Sequence, residues 1–225
     1  MTTLAMRKPH PDRGIEGLMA KWYAANTAEM MKEYVDLARR ISAQLLPGSA
    51  VLEVAPGPGY FAIELAKGGN FAITGLDISH SMVGIATRKA AEAGVAARFL
   101  QGSASSLPFP PASFDFLLCR AAFKNFAKPI EALKEMHRVL KPGGRAVIID
   151  LKRDASPEEI SQGIDEMHLS WLNGLLTKII FKTFLLRSAY TRAEFEEMAA
   201  EAGVGALKVD ENYMGLEITI SKSCP

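Results

Sequence analysis

Cysteine is scarce. Two occur in 225 residues, Cys119 inside an apolar run and Cys224 beside the C-terminus, which leaves neither a disulfide framework nor zinc-ligand spacing. His10 and His80 have no acidic companions at metal-ligand spacing, so no metal is expected. An excess of one charge is missing too. With 26 Lys and Arg against 25 Asp and Glu, the formal charge is +1, without the basic surplus of a protein that grips phosphates, and no nucleic-acid partner is expected. Long hydrophobic runs are also absent. The greasiest segment, Leu175 to Leu186, is interrupted by Lys178 and Lys182 and falls short of the ~20 apolar residues of a spanning helix, so stable membrane insertion is not expected. The opening MTTLAMRKPHPDRG lacks the apolar core of a secretory signal. The expectation is a cytoplasmic protein whose first partner is a small molecule.

What is present is ordinary globular composition, 48% hydrophobic and 23% charged, in a length that suits one sizeable α/β domain. Residues 1–46 read as a polar arm followed by a lid-like helix: Trp22, Tyr23, Met30, Met31, Tyr34, Leu37, Ala38, Ile41 and Leu45 recur at threes and fours from Gly17 to Leu46, and Pro47-Gly48 stops the run. From 47 to 225 the chain reads as the main domain. Strand signals at Ala50–Ala55, Phe71–Leu76, Ala97–Gln101, Phe114–Arg120 and Arg145–Leu151 are joined by longer connections, with helical patterns at Tyr60–Lys67, Ser81–Ala93 and Pro129–Leu140; Lys141-Pro142-Gly143-Gly144 closes the last of these. Strands separated by helices need crossovers, so the sheet is parallel with helices on both faces. About 156–187 reads as a helical cap insertion, Thr191–Ala202 as a helix, and Ala206–Asp210 and Leu216–Ser221 as an antiparallel hairpin. No internal repeat is evident.

The decisive stretch is Val51-Leu52-Glu53-Val54-Ala55-Pro56-Gly57-Pro58-Gly59-Tyr60, an apolar strand that enters a turn without bulk and leaves it as a helix. In open α/β sheets a nucleotide-like ligand lies at the carboxyl end of the first strand, and Gly57 and Gly59 let the backbone approach it. A pyrophosphate wants several free N–H groups there. Pro56 and Pro58 have none and Glu53 would repel phosphate, so a ligand with cationic groups fits better. A tight turn with no ligand is the plainer alternative. Gly75-Leu76-Asp77-Ile78-Ser79 then ends the second strand in an acid about 20 residues further on, the spacing of a carboxylate that binds ribose hydroxyls. Asp77 could also cap the next helix, with Ser79 the better candidate for that role. Gln101-Gly102-Ser103-Ala104-Ser105-Ser106-Leu107-Pro108-Phe109, after the third strand, reads either as an adenine-flanking turn or as an ordinary loop.

Taken in order, Glu-x-Ala-Pro-Gly-Pro-Gly, Gly-Leu-Asp-Ile-Ser, Gln-Gly-Ser-Ala with Leu-Pro-Phe, Ser-Phe-Asp-Phe and Arg-Val-Leu-Lys-Pro-Gly-Gly closely resemble the class I S-adenosylmethionine-dependent methyltransferases over about residues 48–151. The resemblance implies a Rossmann-like seven-stranded, mostly parallel sheet with a C-terminal antiparallel hairpin, and S-adenosylmethionine as cofactor, leaving as S-adenosylhomocysteine. It implies that Glu53, Ala55, Gly57 and Gly59 line the methionine part, that Asp77 holds the ribose, and that Ile78 and Met82 touch adenine, with Gly102, Ser103 and Ala104 at its edge. Arg120 would lie near the sulfonium and acceptor pocket. Two departures stand out: Ala55 replaces the first glycine of the usual turn, and Ser103 stands where Asp or Asn often meets the adenine amino group. Cys119-Arg120-Ala121-Ala122-Phe123-Lys124-Asn125-Phe126 is partly similar to the ubiquinone and menaquinone biosynthesis C-methyltransferases, which carry Arg-Asn at Lys124-Asn125.

The resemblance implies methyl transfer to a small-molecule acceptor, an in-line displacement that asks mainly for alignment. The candidate catalytic side chains are His168 and Tyr23, should a base be needed, and Arg120 by its charge, and each has a plain reading. His168, between Met167 and Leu169, also reads as a packed or surface histidine. Trp22-Tyr23 could cover the site or anchor a helix. Arg120 could steer an anionic acceptor or pair with the cofactor carboxylate. His137 reads as structural. Apolar residues from Met167 to Leu185 could form core packing, the wall of a hydrophobic or aromatic acceptor pocket, a homodimer interface or a membrane-surface contact. A nicotinamide-dependent oxidoreductase would need a third glycine where Tyr60-Phe61-Ala62 stands. An aminopropyl-type transfer, or a cofactor-binding regulator or scaffold without transfer, remain the other functional classes.

Overall fold

The computed structural model describes residues 14–165 and 186–224. Seven strands form one sheet: β1 (Ala50–Val54), β2 (Ala72–Asp77), β3 (Ala97–Gln101), β4 (Phe114–Arg120), β5 (Leu140–Leu151), β6 (Ala206–Glu211) and β7 (Gly215–Ser221). Their spatial order is β3-β2-β1-β4-β5-β7-β6. The first five pair in parallel, while β7 runs antiparallel to β5 and to β6. This is the Rossmann-like arrangement with a terminal hairpin that the resemblance implied. Strand order reverses between β1 and β4, which opens a crevice at their carboxyl ends.

Side-chain alternation builds two cores. Leu52, Leu117, Cys119, Ala146 and Ile148 face one side, with α5 (Pro129–Val139) and α7 (Arg192–Ala202) packed over them. Val51, Phe116, Leu118 and Val147 face the other, under α2 (Met31–Ser42), α3 (Tyr60–Gly68) and α4 (His80–Glu92). Because the period is two, Glu53 shares the Val51 face and points toward α3. Helix α7 starts at a full capping box, with Thr191 and Glu194 each accepting the other's backbone N–H.

Several element ends shift by a single residue, and two differences from the sequence reading are larger. The single helix expected over Gly17–Leu46 is broken into α1 (Gly17–Thr27), a 3-10 turn (Ala28–Met30) and α2. Asn26 Nδ2 donates to the Trp22 carbonyl (2.8 Å) and Thr27 Oγ1 to the Tyr23 carbonyl (2.8 Å), side-chain bonds that compete with regular helix just before the break. Strand β5 begins at Leu140, which pairs with Phe114, so Lys141-Pro142-Gly143-Gly144 lies within the strand rather than closing the helix before it. The pairing shifts register there, between Phe114 and Phe116, and Gly143 takes a left-handed φ of 77°. At the far end of α2, Arg40 makes a two-pronged ion pair with Glu217 of β7 (2.7 and 2.8 Å). Of the helical cap expected at about 156–187, α6 (Pro157–Asp165) and one turn at Leu186–Ser188 are described; the stretch between them, with His168 and most of the apolar face, lies outside the described residues.

Candidate functional site

The β1–α3 turn depends on left-handed backbone: φ is 55° at Ala55, 54° at Gly57 and 77° at Gly59. At Ala55 this explains why a glycine is usual there, since a Cβ in that region raises the energy by about 1–2 kcal/mol. The two turn glycines do different things. A Cβ on Gly57 would meet only the Tyr23 ring, at 3.9 Å, so Gly57 faces the crevice. A Cβ on Gly59 would strike Phe99 and Ala86 at 2.8 and 2.9 Å, and one on Gly75 would strike Phe99 at 2.5 Å. Gly59 therefore makes room for Phe99 beneath the turn.

Asp77 joins the second strand to the first. Its Oδ2 accepts the Gly57 N–H (2.9 Å) and its Oδ1 the Ser79 N–H (2.8 Å), while its carbonyl accepts Gly102 N–H (2.9 Å). The carboxylate is buried, which raises its pKa, and the N–H groups of Ser79, Gly57 and, more weakly, Ile78 take up only part of its capacity of roughly four acceptor positions. Ser79 is the helix cap, its hydroxyl accepting Met82 N–H (3.0 Å). Ile78 is half-buried and accepts Gln101 Nε2 at its carbonyl (3.2 Å), whereas Met82 is buried with Ala20, Ala24 and Ile85 under α1. A Cβ on Gly102 would contact Leu76 at 2.9 Å; Ser103 Oγ lies 2.9 Å from Ser105 Oγ, and Ala104 packs on the core.

Glu53 is 3% exposed and accepts the Ala62 N–H at the start of α3 (3.1 Å). Burial pushes its pKa up to about 8, against the opposing pull of that hydrogen bond and of the Arg120 charge. Burial thus favours its neutral form, and a neighbouring cation favours the ionised one. Across β1, Arg120 ends β4 one residue past Cys119, the partner of Val54, and so stands beside the first residue of the turn. It pairs with Glu33 of α2 and stacks over the Tyr34 ring at 4.6 Å.

The N-terminal segment closes the top. Glu16 accepts the His80 and Ser81 N–H groups (both 3.0 Å), Ser79 Oγ donates to the Ile15 carbonyl (2.6 Å), and Tyr60 OH donates to the Ala24 carbonyl (2.7 Å). Tyr23 is half-buried with its ring toward Gly57, and burial raises its phenol pKa; Trp22 is 62% exposed and turned outward. His137 lies half-buried at the end of α5, and His80 is exposed. Among the described residues, no three potential metal ligands converge, and no helix is long and apolar enough to cross a membrane.

The donor set fits S-adenosylmethionine: a buried acid that a cation would ionise, an open Gly57 face, and spare acceptors on Asp77. It fits a pyrophosphate poorly, because Pro56 and Pro58 lack N–H groups and Glu53 already holds that of Ala62.

A family model for methyltransferase domains matches residues 52–148, the span from β1 through most of β5. A demethylmenaquinone methyltransferase from Lactococcus lactis is 32% identical over 181 residues, 76% of this chain and 71% of that protein. The chain belongs to the class I S-adenosylmethionine-dependent methyltransferases. A demethylmenaquinone methyltransferase from Deinococcus radiodurans is 44% identical to this methyltransferase over 107 residues, 47% of this chain and 44% of the relative. The chain thus spans about half the length of several curated relatives that it matches. In fold, the methyltransferase is similar to a protein from Methanococcus maripaludis assigned to the S-adenosyl-L-methionine-dependent methyltransferases, with a TM-score of 0.78, 21% identity, and 95% and 96% of the two chains covered.

Several residues that shape this methyltransferase's site escaped the sequence reading. Lys124 is buried, its side chain 6% exposed, and its Nζ donates to Asp150 (2.8 Å) and to the Ala121 carbonyl (2.7 Å). Asp150 also accepts the N–H groups of Lys124 (2.9 Å) and Leu151 (2.8 Å), which locks the loop after β4 to the end of β5. An acid one residue before the end of an apolar strand, as Asp150 is, was the available signal. Glu16 and Glu33 gave none, since their partners lie 64 and 87 residues away.

Proposed function

We propose that this methyltransferase moves the methyl group of S-adenosylmethionine to a small hydrophobic or aromatic acceptor of quinone type. The sulfonium, when bound, supplies an activated methyl group and its leaving group. The chain's own residues then bind and orient. Asp77 accepts the ribose hydroxyls, Gly57 lets the ligand lie against bare backbone, and Ile78 with the Gly102–Ala104 turn flanks the base. Glu53 and Arg120 take the ammonium and carboxylate of the amino-acid end, and Tyr23 excludes water from above. The observation that carries the reading is the Gly57–Asp77 hydrogen bond, which fuses the two turns into the floor of one crevice. The acceptor class rests on the names of the Lactococcus and Deinococcus relatives, and on Arg120 and the Lys124–Asn125 loop lying at the carboxyl end of β4.

Calorimetry with S-adenosylmethionine, S-adenosylhomocysteine and NADH tests the cofactor. The first two are expected to bind at micromolar levels and NADH not at all. Tritiated methyl transfer to demethylated naphthoquinols and benzoquinols tests the acceptor: label in the quinol fraction supports it. Tight cofactor binding without any labelled product would make the protein a cofactor-binding regulator instead.

A further inference from the structure

Arg120 holds a place where two carboxylates cannot be served at once. Its guanidinium lies over the Tyr34 ring, its side chain is 14% exposed, and Glu33 fills its outward side. Glu53, Tyr23 and Tyr34 are the other ionisable groups that feel its charge, and burial favours the neutral form of Glu53. A ligand carboxylate placed beside the β1 turn on the β4 side would meet Arg120 and, a few ångströms on, the like charge of Glu33.

We propose that Glu33 is an internal surrogate for the ligand's carboxylate: it occupies Arg120 in this structure and is displaced when the α-carboxylate of S-adenosylmethionine arrives. The inference rests on reading the crevice as an S-adenosylmethionine site. Release is physically easy for Glu33. Its side chain is 51% exposed, so water can take over its solvation, and it sits in the first turn of α2, where the helix dipole favours a negative charge with or without Arg120. For Arg120 the exchange keeps one carboxylate on a guanidinium that is too enclosed to be left bare. Its consequence is selectivity. A nucleoside that brings its own carboxylate can evict Glu33, whereas one that lacks it leaves the internal pair standing. Glu33 acts as a positioning residue, through Arg120, and raises the threshold for ligands that match the site only in part.

The test compares S-adenosylmethionine with its decarboxylated form, which keeps the sulfonium, ammonium and adenosine. Dissociation constants are measured by calorimetry on the full chain, Glu33→Gln and Arg120→Ala. Glu33→Gln keeps the shape of a half-exposed side chain, and thermal denaturation checks its fold. Removal of the competing charge is expected to tighten S-adenosylmethionine about two- to fivefold, the span of a partly exposed ion pair, and to leave the decarboxylated form within twofold of its starting value. Arg120→Ala is expected to abolish the preference between the two. Equal tightening of both nucleosides, or of neither, overturns the surrogate role while leaving the cofactor site intact. Failure of the unmodified protein to bind either nucleoside instead removes the cofactor reading, and the surrogate with it.

Discussion

The two flanks of β1 are built by different means. On the β2 flank, Asp77 is held by the backbone N–H groups of Gly57 and Ser79, and its own carbonyl holds Gly102. Every donor in this set is a backbone N–H, so the chain itself orients the Asp77 carboxylate. On the β4 flank, Arg120 is held by side chains, Glu33 and the Tyr34 ring, both from α2. Main-chain bonds fix a geometry, while side-chain pairs can be exchanged. Under the proposed function, the nucleoside takes the flank held by backbone donors and the amino-acid end the flank held by side chains. Only behind Arg120 does the β4 flank harden, where Lys124 and Asp150 form a buried pair.

The comparison can be broken at its hardest point first. Lys124→Ala leaves Asp150 buried without its ammonium, and a loss of about 3–5 kcal/mol is expected in urea denaturation. Replacing both residues with Met and Leu is expected to recover much of that loss; failure to recover would mean that the pair does more than neutralise itself. Next is Glu53, whose carboxyl burial pushes from the ordinary 4.5 up to about 8. Between those values the folded state keeps a proton that the unfolded state has shed. Stability therefore falls as pH rises through that window, by about 1.4 kcal/mol per pH unit, and the fall ends above the folded pKa. Glu53→Gln should flatten denaturation midpoints from pH 5 to 8; an unchanged slope would assign the effect elsewhere. Cofactor binding near pH 7 should also release protons, read as a dependence of calorimetric heat on the buffer's ionisation enthalpy.

Asp77→Ala probes the flank held by backbone donors. Cofactor binding is expected to weaken by about 1–3 kcal/mol, the scale of buried hydrogen bonds left unmade, and unchanged affinity in a folded variant would count against the ribose role. The smallest effect belongs to Ala55. Ala55→Gly removes a left-handed Cβ worth about 1–2 kcal/mol, while the freer unfolded chain takes back about 0.4–1 kcal/mol. A net gain below about 1 kcal/mol in thermal denaturation is expected, and a loss would show that the Ala55 methyl packs usefully.

Legibility followed the same division. The β1 turn, Asp77, Ser79 as cap, and the ends of β3 and β4 could be read because each depends on neighbours a few residues away: turn formers, a cap, an alternating run. The break between α1 and α2 was masked by apolar spacing that carries straight through it, since Asn26 and Thr27 act by hydrogen bonds that hydropathy does not register. The start of β5 was hidden because Pro142-Gly143-Gly144 signals a turn, yet Gly144 lies so close to the Lys141 and Asp115 carbonyls that a Cβ would sit 2.9 and 3.0 Å from them. Gly59 looked like a ligand-facing glycine because Phe99, the ring that needs its space, is 40 residues away in sequence. Lys124 was legible only as part of the Cys119–Phe126 stretch, and its ion pair waited on the fold to bring Asp150 beside it.

The Arg40–Glu217 fork ties α2 to β7, on the far side of β5 from the crevice. Helix α2 also packs on α3, with Tyr34 5.6 Å from Tyr60, while α1 is fastened through Glu16 and Tyr60 to α4 and α3. The three residues Ala28–Met30 are the only direct chain between them. That short turn therefore lets the two helices take different directions while both stay fastened to Tyr60 of α3.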